Sequence, residues 1–145
     1  MLKKISPCLL FDGKAEEAAK YYVSIFRKSK IISVNPWVTR FKLEGQEFMA
    51  LNGPKSDFTW AVSFFVTCET QKEIDYYWDK LAAGGEEQPC GWVKDKFGLS
   101  WQIVPSIIND LIGDADPKKV NRTMQAVSRM KKLDLAKIKK AHAGK

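Results

Sequence analysis

The sequence predicts an α+β fold: two consecutive units, each of one strand, one helix and three further strands, completed by C-terminal helices. Three observations predict it. Residues 91–105, GWVKDKFGLSWQIVP, read as a β-hairpin in which Gly98 supplies the positive φ of the turn and β-branched and aromatic residues fill both arms. The order of elements occurs twice. A shift of 55 residues lays Tyr76 and Tyr77 on Tyr21 and Tyr22, Leu81 on Phe26, and residues 63–66 on 8–11. A shift of 53 lays Gly98 on Gly45, Trp101 on Phe48 and Gln102 on Met49, as expected of a duplicated module. After Pro105 the pattern changes to apolar residues at helical spacing set among lysines.

Residues 5–11 form the first expected strand, ended by a turn at Asp12 and Gly13. A helix over 15–26 follows, because Ala18, Ala19, Tyr22, Ile25 and Phe26 make one apolar stripe. Residues 31–34 are a short strand broken at Asn35 and Pro36. Residues 37–43 and 47–51 then form a hairpin about Glu44, Gly45 and Gln46, closed by Asn52, Gly53 and Pro54. The second unit repeats this plan with a strand over 60–67, a helix over 71–81 stopped by Gly84 and Gly85, a short strand around Cys90, and the hairpin of 92–95 and 99–104. In the last arm Leu99, Trp101 and Ile103 share a core face, while Ser100, Gln102 and Val104 share the face that would line a cavity.

Residues 106–112 suit a short helix. Asp116 with Pro117 is a helix start followed by Val120, Met124 and Val127, and Asp134 caps a last helix through Leu135, Ile138 and Ala141. These amphipathic helices lie either on the body of the protein or on a partner subunit.

Composition narrows the class. With 45% apolar and 12% aromatic residues, the 145-residue chain can build a true core. Its apolar runs are far shorter than the ~20 residues of a membrane span. Lys3 and Lys4 precede Leu9, Leu10 and Phe11, but Asp12 ends that run before it could serve as a signal peptide, so a cytoplasmic protein is expected. The net charge of +7 is confined to residues 113–145, which carry ten Lys or Arg against three Asp. The body is therefore neutral, and the basicity belongs to an appendage. No aromatic residues interleave the tail's lysines, so a solvated helical face is expected in preference to nucleic-acid binding. Cys8, Cys68 and Cys90 have no CxxC spacing, which excludes a disulfide framework or zinc knuckle and leaves small buried thiols as the expectation.

The duplicated unit, SPCLLFDGKAEEAAKYY, ALNG after the first hairpin, ETQKEIDYYWDKL, GGEEQPCGWVKDKFGLSWQIVP and the terminal MKKLDLAKI together resemble the PhnB-like branch of the vicinal oxygen chelate, or glyoxalase and bleomycin-resistance, superfamily. This branch is often labelled demethylubiquinone methyltransferase-like. The label draws no support from the sequence, which has no strand leading into a glycine-rich loop and acidic residue for a methyl donor. The resemblance implies two tandem βαβββ modules forming a curled mixed sheet around a cavity, plus C-terminal helices. It divides the chain into a domain over 1–112, with modules 1–54 and 58–105, and a basic helical extension over 113–145.

Metal-dependent relatives hold a divalent ion through one residue on the first and one on the last strand of each module. The internal repeat carries those places to Cys8, Met49, Ser63 and Gln102. A thiol, a thioether, a hydroxyl and an amide bring no imidazole or carboxylate to balance a divalent cation, and the single histidine, His142, lies in the tail. No tightly bound metal and no cofactor are therefore expected. Gln102 either orients a ligand or is an amide satisfied by neighbouring strands. Cys8 has no histidine to activate it as a nucleophile.

Trp37 and Trp92 stand at hairpin entrances and are candidate pocket residues with Ser100, whereas Trp78 and Trp101 read as packing. The Tyr21, Tyr22, Tyr76 and Tyr77 hydroxyls are expected to reach the surface. Glu16 with Glu17 and Glu86 with Glu87 read as a helix's first turn and a loop. The expected function is metal-independent binding of a small molecule by a homodimer. The alternatives are a metal-activated lyase, isomerase or dioxygenase of the same superfamily and, lower in order, nucleic-acid association through the tail.

Overall fold

The computed structural model describes residues 4–145, so Lys3 of the N-terminal basic pair lies outside the described residues. The chain divides into two compact units, Met1–Asp57 and Phe58–Lys145. No helix among the described residues is long and apolar enough to cross a membrane.

The first unit contains β1 (Cys8–Phe11), α1 (Ala15–Ile25), β2 (Ser29–Val34), β3 (Val38–Leu43) and β4 (Gln46–Asn52). The strands make a four-stranded sheet in the order β1-β4-β3-β2, with β1 parallel to β4 and the other pairs antiparallel. Alternation along the strands decides which face meets the helix. Leu9, Phe11, Phe41, Leu43, Phe48 and Ala50 are buried, as are Ala15, Ala18, Ala19, Tyr22 and Ile25 of α1. Tyr22 stacks on Phe41, which stacks on Phe48, with ring centroids 6.2 and 5.4 Å apart. Tyr22 is wholly buried, in keeping with its place in the apolar stripe of the helix, and its hydroxyl does not reach the surface, contrary to expectation.

Lys14 offers α1 no side-chain cap. The Asn52 side-chain oxygen at the end of β4 accepts from Ala15 N at 2.9 Å instead, so the module's last strand caps its helix. Glu44 and Gly45, at φ 47° and 88°, make a two-residue hairpin turn with both central residues left-handed.

The second unit contains β5 (Ser63–Cys68), α2 (Gln71–Ala82), β6 (Glu86–Glu87), β7 (Trp92–Lys94), β8 (Ser100–Pro105), α3 (Ile108–Ile112), α4 (Pro117–Ser128) and α5 (Leu135–Ala143). Its sheet repeats the first plan in the order β5-β8-β7-β6. Thr70 caps α2 by accepting from Glu73 N. Ile74, Tyr77, Trp78 and Leu81 of the helix are buried, as are Val93, Leu99, Trp101 and Ile103 of the hairpin, confirming the expected core face. Each large side chain so buried contributes about 1.5–3 kcal/mol.

Two expectations are corrected here. Residues 60–62 are not part of β5, which begins at Ser63. The strand expected around Cys90 is a 3-10 turn at Pro89–Gly91, and strand pairing falls earlier, at Glu86–Glu87. Cys90 and Gly91 both have positive φ, 64° and 81°, which is incompatible with extended chain.

The C-terminal helices pack on their own unit. Val104, Ile108, Val127, Leu133 and Ile138 form one buried cluster, with Cys90, Leu111 and Met130 against it. Val104 is therefore core and not a lining residue, because the extension covers it. Asp116 and Asp134 cap α4 and α5 as expected, accepting from Lys118 N and Lys137 N. Met124 of the expected apolar stripe is exposed. Thr123 takes the buried place, its hydroxyl donating to Lys119 O at 2.8 Å.

The candidate ligand-binding faces

Each sheet has one face against its helix, and the expected site residues that lie in strands share the other face, which in the second unit the C-terminal helices cover at Val104. In the first unit Cys8 stands opposite Met49 in the parallel β1–β4 ladder, and Met49 stands opposite Arg40 in β3. Arg40 is ion-paired with Glu47, and its hydrogen bond holds the Glu47 carboxyl below the usual range. Cys8 is exposed, contrary to the buried thiol expected, because it begins an edge strand on the open face. Cys68 does match that expectation: burial, reinforced by Glu73 and Glu69, pushes its thiol up to about 12, leaving it inert at neutral pH. Trp37 is 71% exposed just before β3, where the Asn35 side chain accepts from its backbone N–H at 2.9 Å.

In the second unit Ser63 stands opposite Ser100, and Gln102 stands between Phe65 and Trp92. The parallel register thus differs by two residues from the one implied by the internal repeat, which pairs Ser63 with Gln102 as Cys8 pairs with Met49. A two-residue offset keeps every side chain on its face. The side chains still meet: Gln102 Nε2 donates to Ser63 Oγ at 3.0 Å. Among the described residues this is the only protein partner of the Gln102 amide, which leaves its oxygen as an acceptor and the Ser63 hydroxyl as a donor. Reversing the amide would still leave one donor and one acceptor in the pair. Ser100 is buried beside them, and Phe65 is half-exposed on the same face.

Trp92 meets Trp60 edge to face, with ring centroids 6.1 Å apart. The two indoles and Glu86, Glu87, Cys90 and Lys131 line an open cleft of about 570 Å³. Trp78 and Trp101 are buried as expected, and each indole N–H is satisfied by a carboxylate: Trp78 donates to Glu87 at 2.8 Å and Trp101 to Asp95 at 2.9 Å. Asp95 is itself buried and accepts from Phe97 N and Leu99 N at 2.8 and 3.0 Å. Its role had a signal in the sequence, an acidic residue two and four places before residues of a tight turn. Trp60 and Lys131 had none, because neither lies in a regular strand or helix.

The residues at the places that the resemblance assigns to metal ligands do not fit a divalent ion. Cys8 and Met49 in one unit, and Ser63 and Gln102 in the other, supply one ionisable group and no imidazole or carboxylate. Among the described residues no three of His, Cys, Asp and Glu come together in a way that would hold a metal.

Paired βαβββ sheets, each with an open polar-lined face, define a protein of the vicinal oxygen chelate class. The model of the 3-demethylubiquinone-9 3-methyltransferase family matches residues 3–104, and the chain belongs to this PhnB-like family of the glyoxalase and bleomycin-resistance superfamily. A PhnB protein from Bacillus cereus, described by the same methyltransferase name, is 38% identical, with 71% of this chain and 99% of that chain covered and a TM-score of 0.61. Protein PA1353 from Pseudomonas aeruginosa is 21% identical over 71% of this chain and 96% of its own, with a TM-score of 0.57. The fosfomycin resistance protein FosX from Listeria monocytogenes is 15% identical over 73% and 92%, with a TM-score of 0.54. At these identities the last two share the fold. No curated protein is significantly similar to the chain.

Proposed function

We propose that the protein binds a small molecule on its open sheet faces through hydrogen bonds and aromatic contacts, without a metal. The observation that carries this reading is the Gln102–Ser63 hydrogen bond at 3.0 Å, which occupies places that metal-using relatives fill with ligands and leaves one donor and one acceptor unspent. Ser100 and Trp92 extend that face in the second unit, and Cys8, Met49 and Trp37 serve the first. The reading assigns ligand binding to residues 1–112 and treats 113–145 as an appended basic helical extension. It includes a cytoplasmic homodimer, for which light scattering at twice the chain mass is the check.

Thermal-shift screening of metabolites and antibiotics, in buffer with and without a chelator, tests the reading. A ligand of this site raises the melting temperature equally in both buffers. Gln102→Leu abolishes that rise while leaving the melting temperature of the free protein within a few degrees. Stabilisation that appears only with an added divalent ion, or near-stoichiometric metal in protein purified without a histidine tag, overturns it.

A further inference from the structure

The duplication makes each sheet a control for the other. Laying Gly98 on Gly45 brings Ser100 onto Glu47, so the cross-strand row Glu47, Lys42, Lys30 of the first sheet corresponds to the row Ser100, Lys94, Glu86 of the second. In the second row Lys94 stands opposite Glu86. In the first, Lys42 stands opposite Lys30. Like charges directly opposite on neighbouring strands destabilise the pairing, and the second copy shows that the frame accepts the balanced alternative.

Nothing in the first sheet cancels this pair. Lys30, Arg40 and Lys42 lie on the face turned away from α1, because Phe41 and Leu43 at the alternate positions are buried. The carboxylate in their rows, Glu47, is ion-paired with Arg40. Arg40 first, and then Lys4 and Lys42, hold that carboxyl below its usual range against the opposing effect of burial, so three cations already act on one acid. Glu44 and Lys28 at the turn end of these strands add one charge of each sign. Among the described residues neither Lys30 nor Lys42 is in a salt bridge. This face is therefore cationic, although the +7 of the chain lies in residues 113–145. Its charge is also graded along the strands. Met49 and Cys8 continue the row of Arg40, and the row beyond them is Val38, Leu51 and Leu10, three half-buried apolar side chains.

We infer that this face binds a small organic phosphate monoester, with the phosphate on Lys30 and Lys42 beside Arg40 and the uncharged part over Met49 and Leu51. A phosphate monoester carries about 1.5–2 negative charges at neutral pH on three acceptor oxygens. Neighbouring strands hold the two lysine stems about 5 Å apart, close enough for both ammonium groups to donate to one such group. A single carboxylate would balance only one of them. The inference rests on the reading that these sheet faces bind small molecules, and it names the class that the first face takes.

The test uses the full chain with phenyl phosphate as the probe, and benzyl alcohol and benzyltrimethylammonium as its neutral and cationic counterparts. Backbone amide resonances are followed by nuclear magnetic resonance. Phenyl phosphate is expected to give saturable shifts at Lys30, Lys42 and Met49 that weaken as salt is raised, and the counterparts none. Lys42→Gln weakens binding about two- to five-fold. Lys30→Glu rebuilds the pairing of the second copy: it is expected to abolish phosphate binding while raising the melting temperature, which separates lost binding from lost structure. Lys94→Gln, the same exchange in the second sheet, leaves binding unchanged. Shifts confined to residues 113–145, equal binding of either counterpart, or undiminished binding by Lys30→Glu would overturn the inference. If phenyl phosphate fails to bind while a neutral compound from the thermal-shift screen still binds and is lost in Gln102→Leu, the phosphate assignment alone falls; failure of both overturns the reading beneath it as well.

Discussion

The two βαβββ units follow one plan but stabilise it differently. In the first, backbone conformation turns the hairpin, with Glu44 and Gly45 left-handed, and the Asn52 side chain caps α1 from across the module. In the second, a buried side chain holds the hairpin and the cap of α2 is local. Buried Asp95 organises the hairpin through three hydrogen bonds, Thr70 caps α2, and the four-residue-shorter β6 leaves space that a 3-10 turn and the C-terminal helices occupy. The open faces differ as well. Arg40 and Glu47 of the first are spent on each other, whereas the Gln102–Ser63 pair of the second retains hydrogen-bonding capacity.

The sharpest way to break the comparison is at the two hairpins. Asp95→Ala leaves two backbone donors and a buried indole N–H without their acceptor and is expected to lower stability by about 4 kcal/mol. Glu44→Ala in the other hairpin costs under about 1 kcal/mol, since its side chain holds only a long 3.4 Å hydrogen bond at the surface. Equal losses in chemical denaturation would show that the hairpins are not built differently. Leu133→Ala comes next, with an expected loss of about 3 kcal/mol, because it opens a cavity in the cluster joining the extension to β8. A loss below about 1 kcal/mol would mean that the extension is a loose appendage.

Thr39→Val acts in the opposite direction. The Thr39 hydroxyl is buried in the first sheet without a partner among the described residues, so the isosteric valine is expected to stabilise by about 1 kcal/mol, read as a higher melting temperature. The smallest effect concerns the surface clasp between α2 and the extension. Hydrogen bonds from Gln71 and then Lys132 lower the Asp75 pKa, and Asp75 raises that of Lys132. A depressed carboxylate contributes stability that is present above its unfolded pKa of ~3.9 and lost as pH falls through the lower folded value. A raised lysine contributes below its unfolded pKa of ~10.4 and loses that contribution as pH rises through the raised one. Asp75→Asn should therefore cost about 0.5 kcal/mol at neutral pH and nothing at strongly acid pH, with added salt shrinking the difference.

The sequence itself determined the secondary-structure order, the duplication, the core face of Leu99, Trp101 and Ile103, and the caps at Asp116 and Asp134. Each of these rests on a local signal, either a period of two or 3.6 or a side chain that bonds to backbone a few residues away. At the four places that the resemblance assigns to metal ligands, residue type alone shows that imidazole and carboxylate are absent. Tertiary structure decided the rest. The Tyr22 hydroxyl is buried with its ring, and Val104, on the same face as Gln102, is core because the C-terminal helices cover it. The parallel register of β5 on β8 slipped by two residues, which pattern cannot detect because the same faces remain buried. Trp60, Cys90 and Lys131 lie far apart in the chain and outside regular elements, and only the path of the backbone brings them into one cleft.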